Sequence, residues 1–183
     1  MSMQTSFERD IADTLAAIRQ SIAAKQHMPT KVLIYAVIDS MAWAASDKGE
    51  KSTRKNFESW VARWLIPELP LIGEKIEPVD LYAARCAVLH TMTPDSDLTS
   101  KGAARTIAYA WGTSKAEVLA YAFKVKGISN VVALHYDALY AAVNAGISAF
   151  LSAAATDQVL GSRLAEGASK HYTYIDAPSG EQA

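Results

Sequence analysis

The sequence predicts a mainly α fold, a helical bundle with a small two-stranded β-ribbon. Apolar residues recur at three- and four-residue steps through most of the 183 positions, and only two short runs alternate as strands do. The composition, 50% hydrophobic and 20% charged, is that of a globular chain. We expect one domain over 1–172 and a polar tail over 173–183.

Phe7, Ile11, Leu15, Ile18 and Ile22 lay one apolar stripe along a first helix from about Thr5 to Ala24. His27, Met28 and Pro29 are expected to break it. Lys31 to Ser46 then reads as a helix apolar on nearly every side, and therefore central. The polar, basic stretch from Ser46 to Asn56 reads as a solvated loop ending in a Ser52 or Thr53 cap. Phe57, Trp60, Val61, Trp64 and Leu65 mark a third helix stopped by Pro67 and Pro70. Pro78 opens a fourth helix that runs to Pro94.

Thr106 to Trp111 and Asn130 to His135 are the strand candidates, with a helix from Ser114 to Lys124 between them and Gly127 as its stop. Ile107, Tyr109 and Trp111 fall on one face and read as core. Ala138 to Thr156 lacks formal charge and is long enough to span a membrane, but its many Ala, Ser and Gly contribute little transfer energy. It reads as a buried helix whose small face, Ala141, Ala145, Ala149 and Ala153, admits a close neighbour. A weaker helix follows Asp157 to about Ser169.

The balance of 18 basic and 19 acidic residues gives no global reason to expect nucleic acid or an anionic membrane. No membrane association is expected. The single cysteine, Cys86, and a start without an apolar signal core point to a cytoplasmic protein. Phosphate-cradling glycine motifs are absent, and His27, His90, His135 and His171 lie too far apart for a helical metal pair. Neither cofactor nor metal is expected. Asp95-Ser96-Asp97 lacks the glycine and closing glutamate of a calcium loop and reads as a helix cap.

The chemistry concentrates in Leu81-Tyr-Ala-Ala-Arg85-Cys86-Ala-Val-Leu-His90. On an ideal α-helix Arg85 and His90 point about 140° apart, so they are expected to meet only through a helix end or a second chain. The segment resembles the R-x4-6-H signature of the HEPN superfamily. A mostly apolar helix carrying Asp39 precedes it, as such helices do in that family. The resemblance implies a helical bundle that dimerises, with the signature helices of two protomers facing each other over a composite site flanked by Tyr82 and Leu89. It also implies a metal-independent ribonuclease acting on RNA. His90 would carry the proton around the 2′-hydroxyl, and Arg85 would hold the phosphate. Cys86 stands where nuclease members often have Asn or Asp, and the strand candidates go beyond a plain bundle.

Other readings stay open on the same residues. Arg85 can neutralise Asp39 as a structural pair, and His90 can cap its helix. Cys86 and His90, four apart, share a face of an α-helix and allow a thiolate–imidazole pair, although Cys86 sits mid-helix. On the structural reading Cys86 is enclosed and inert. Lys48, Lys51, Arg54 and Lys55 form a basic loop, either solvated or phosphate-binding. The alternative function is a non-catalytic helical interaction module or accessory subunit of a nucleic-acid or defence system.

Overall fold

A computed structural model describes residues 3–47, 49–70, 75–170 and 172. The polar tail, His171 and Lys48 lie outside the described residues. Helix α1 (Met3–Ala23) buries Phe7, Ile11 and Ile18 against α2 (His27–Ala44). The turn between them closes with Gln26 N–H donating to Ser21 O and Lys25 N–H to Ile22 O, with Lys25 left-handed at φ 56°. Here the expected break moves upstream, because α2 starts at His27 and includes Pro29. A proline in the first turn lacks only an N–H that has no helical acceptor there. As expected, α2 is central: Ile34, Tyr35, Ile38 and Met41 are fully buried.

Ser52 caps α3 (Thr53–Trp60), its hydroxyl accepting from Lys55 N–H at 3.2 Å. The chain then widens into a π-helical turn over Val61–Leu65 and tightens into a 3-10 turn over Ile66–Glu68, which holds Pro67. Helix α4 (Pro78–Cys86) likewise passes into a π-helical turn at Ala87–Thr91, which ends on left-handed Met92. The short α5 (Asp97–Ser100) is capped reciprocally by Ser96 and Thr99, so the Asp95-Ser96-Asp97 run is the predicted cap.

Strands β1 (Thr106–Ala110) and β2 (Val131–His135) pair in parallel, Thr106 opposite Val131 and Ala110 opposite His135. Parallel neighbours cannot be joined by a tight turn, and α6 (Ala116–Val125) supplies the crossover. Gly127, at φ 70°, ends α6 where the sequence places the stop. The alternation of β1 divides its side chains: Ile107 is buried and Tyr109 stacks on Tyr136 at 5.0 Å, while Ala110 joins Ala116 and Ala133 beneath α6. Trp111 lies past the strand end, 43% exposed, against the ring of His27. His135, at the end of β2, has a structural role. It caps α7 (Tyr136–Thr156), its Nδ1 accepting from Asp137 N–H at 3.1 Å.

Helix α7 is long and apolar enough to cross a membrane by length and composition. It buries Leu139, Val143, Ile147 and Phe150 in the core, with Leu151 half-buried. The expected small face is not where a neighbour comes closest, since Ala141 is exposed. Gly146, on the buried face, takes that role: a Cβ there would lie 2.5 Å from the Trp64 carbonyl oxygen in the first π-helical turn. Gly146→Ala is therefore expected to cost about 1–3 kcal/mol, read by urea unfolding, because backbone must move to admit the methyl. After Asp157, whose carboxylate accepts from Val159 and Leu160 N–H, α8 (Gln158–Ala168) closes the bundle. The fold is thus mainly helical with a small two-stranded parallel sheet.

Candidate active site

One face of α2 sets the site. His27, Lys31, Tyr35 and Asp39 recur at four-residue steps, so they line up along the helix. Tyr35 and Tyr109 of β1 share a hydroxyl–hydroxyl hydrogen bond, and Lys31 lies over the Tyr109 ring at 5.8 Å. One turn further along, Asp39 meets α4. The Arg85 guanidinium donates to Asp39 Oδ2 from both Nε (2.8 Å) and Nη2 (2.5 Å). Burial works against the charge of Arg85, but hydrogen bonding and attraction to Asp39 outweigh it, so its pKa rises.

The same guanidinium reaches His90. Arg85 Nη1 lies 2.9 Å from His90 Nε2 within one chain. Of the two routes expected, a helix end or a second chain, the pair takes the first, meeting in the terminal turn that ends on Met92. The cause is the π-helical turn at Ala87–Thr91. Its backbone bonds span five residues instead of four, and this wider register turns His90 back towards Arg85, which stands in the α-turn just before it. Thr91 Oγ1 donates to the Ala87 carbonyl at 2.8 Å, taking up a carbonyl that the α-register would have used.

A guanidinium only donates, so Nε2 of His90 must accept, which places the proton of the neutral ring on Nδ1. The lone pair that would take a substrate proton therefore rests on Arg85. His90 itself is exposed, whereas the Arg85 and Asp39 side chains are 14% and 22% exposed. The three form a row, carboxylate, guanidinium, imidazole, with the guanidinium the least exposed and the imidazole the most.

Cys86 is half-buried rather than enclosed, with its thiol beside the side chains of Tyr82 and Arg85. Burial first, and Cys86 second, push the Tyr82 phenol pKa up, so it remains an O–H donor at neutral pH. The sequence places Tyr82 only at the flank of a composite dimer site, not beside Cys86. Tyr82 lies one α-turn before Cys86, and that four-residue spacing was the available signal. Tyr82 also packs edge-on against Phe57 at 5.5 Å, and Leu89 is packed against the core. The two side chains expected to flank a dimer site thus serve their own protomer's interior.

A cleft of about 750 Å³ opens beside Asp39, between the ends of α2 and α8 and the start of α3. Trp43, Lys51, Asn56, Arg163 and Lys170 are among its walls. Its charge is mixed, because Arg163 pairs with Asp47 at 2.6 Å and Lys170 with Glu166 at 3.3 Å. Two cations of the basic loop are paired as well: Lys55 with Glu50 at 2.5 Å and Arg54 with Glu58 at 2.7 Å. Among the described residues no cluster of three metal-ligating side chains occurs.

Compared with family models, curated proteins and solved structures, the chain matches none, so the likeness to the HEPN superfamily rests on Arg85, His90 and the helix that carries Asp39.

Proposed function

We propose that this protein is a metal-independent endoribonuclease of HEPN type whose working unit is the Asp39–Arg85–His90 row within one protomer. The observation that carries this reading is the 2.9 Å contact between Arg85 Nη1 and His90 Nε2. It pairs a phosphate-binding fork with a proton acceptor, the two functions that RNA transesterification needs.

In the resting site the two groups satisfy each other. A phosphodiester competes for the guanidinium, and as Arg85 turns towards it the lone pair of His90 Nε2 is released to the 2′-hydroxyl. His90 takes the 2′-proton while the 2′-oxygen bonds to phosphorus. The bond from phosphorus to the 5′-oxygen breaks, and that oxygen leaves with the proton returned by the imidazolium. The products are a 2′,3′-cyclic phosphate and a 5′-hydroxyl, with no net proton change. Asp39 acts as a positioning residue, holding the fork by its Nε and Nη2 edge so that Nη1 is the corner left to pass from the imidazole to the phosphate.

The test is incubation of purified protein with labelled oligoribonucleotides in chelator, with the ends identified by mass spectrometry. Cyclic phosphate ends are expected, and a 2′-deoxy nucleotide at the cut position should block the reaction. RNA that is bound but left intact over a broad panel would overturn this reading in favour of the non-catalytic module.

A further inference from the structure

The cleft of about 750 Å³ beside Asp39 has the size of a small-molecule site, and hydrogen-bonding groups that the fold leaves unused converge on it. Both donors of Arg85 end on Asp39 Oδ2, so Oδ1 keeps its lone pairs. Asn56 uses its Nδ2 on the Glu50 carbonyl at 3.4 Å, and its Oδ1 likewise accepts nothing among the described residues. The half-buried Ser40 hydroxyl makes no hydrogen bond among them either. Trp43, one α-turn after Asp39, adds a large ring that is 46% exposed, with the ammonium of the flexible Lys170 over it at 5.8 Å. The charges of the walls cancel with one exception. Asp39 is answered by Arg85, Asp47 by Arg163, Glu50 by Lys55 and Glu166 by Lys170, whereas Lys51 has no ion-pair partner among the described residues.

We propose that this cleft binds a guanine nucleotide, the base stacked on Trp43 with its N1–H and 2-amino edge at Asp39 Oδ1, and the phosphate at Lys51. The unused acceptor selects the base. A carboxylate oxygen attracts N–H donors and repels ring nitrogens and carbonyls, and guanine is the common base whose edge offers two adjacent donors. Adenine and cytosine set an acceptor nitrogen beside their amino group, and uracil sets its N3–H between two carbonyls. Guanine O6, on the same edge, needs a donor, which the Ser40 hydroxyl supplies. Lys170 leaves the ring as the base stacks, an exchange that costs little for an exposed lysine. The same chemistry seats a free guanine nucleotide or a guanosine within an RNA strand. The cleft shares Asp39 with the proposed ribonuclease row, but this assignment does not depend on cleavage.

Calorimetric titration of the full chain with GMP should show saturable binding, with AMP and UMP about tenfold weaker or more. 1-Methyl-GMP, which lacks the N1–H, should lose most of the affinity. Trp43→Leu should weaken GMP by about ten- to a hundredfold, the usual contribution of a stacked base, while Tm changes little because the ring is half exposed. Lys51→Gln should erase the preference for GMP over guanosine. A uridine-rich oligoribonucleotide carrying one guanosine tells the two sources apart: tighter binding than GMP assigns the cleft to a strand, weaker binding assigns it to the free nucleotide, and Trp43→Leu must weaken either one. No GMP binding at millimolar concentration would overturn the inference, as would equal binding of AMP and UMP or indifference to both variants. RNA cleavage by a protein that ignores GMP would remove this inference alone, and GMP binding by a protein that cuts no RNA would remove the ribonuclease alone.

Discussion

Substituting His90 by alanine is expected to lower RNA cleavage by about two to four orders of magnitude, the usual contribution of a positioned acid–base group. Stability should hardly change, because the ring is exposed and its contact with Arg85 is a single hydrogen bond. Arg85 requires a gentler variant. Removing its side chain would leave the Asp39 carboxylate part-buried without its cation, and lost activity could then be lost structure. Arg85→Lys keeps the charge but cannot hold Asp39 by two edges and His90 by a third N–H at once. It should lose most activity while remaining folded. Asp39→Asn should fall between the two, lowering kcat more than it raises KM, since the carboxylate aims the fork rather than touching RNA. Wild-type rates in both His90→Ala and Arg85→Lys, measured with the same oligoribonucleotides, would sink the assignment.

Asp80→Ala should be among the most destabilising single changes in the chain. Asp80 is 1% exposed, and its carboxylate collects four donors. Oδ1 accepts from Arg105 N–H at 2.8 Å, while Oδ2 accepts from Arg105 Nε at 3.2 Å, Arg105 Nη2 at 2.6 Å and Glu77 N–H at 3.0 Å. Arg105 Nη2 also donates to the Lys75 carbonyl at 2.6 Å, so this one pair ties the entry of α4 to the entry of β1. Removing the acid takes the carboxylate from a largely buried guanidinium and leaves two backbone donors unmet. Breaking a buried pair in this way costs about 3–5 kcal/mol, which for a chain of this length is a Tm drop of roughly 6–20 °C. Asp80→Asn, which keeps an acceptor for the backbone N–H groups, should cost less. A Tm for Asp80→Ala within two degrees of wild type would show that the network contributes little.

What the residues determine locally could be read from them directly. Steps of three and four place α1, α2 and α7, and Ser52, Pro78, Gly127 and Asp157 mark ends, because caps and apolar stripes act over a single turn. The pairing of Asp39 with Arg85 was one of the readings open in the sequence, since an acid in an apolar helix must find a donor. Asp80 and Arg105, 25 positions apart, carry no such periodic mark, and only the meeting of α4 with β1 joins them. The parallel pairing of β1 and β2 is also tertiary, because strand direction is set by α6 carrying the chain back to the starting end of the sheet. The site itself turns on the same distinction. Residue types and spacing supplied Arg85 and His90, but ideal α-geometry directs them apart. The π-helical turn at Ala87–Thr91 decides that they meet, because a change of backbone register by one residue rotates every side chain beyond it.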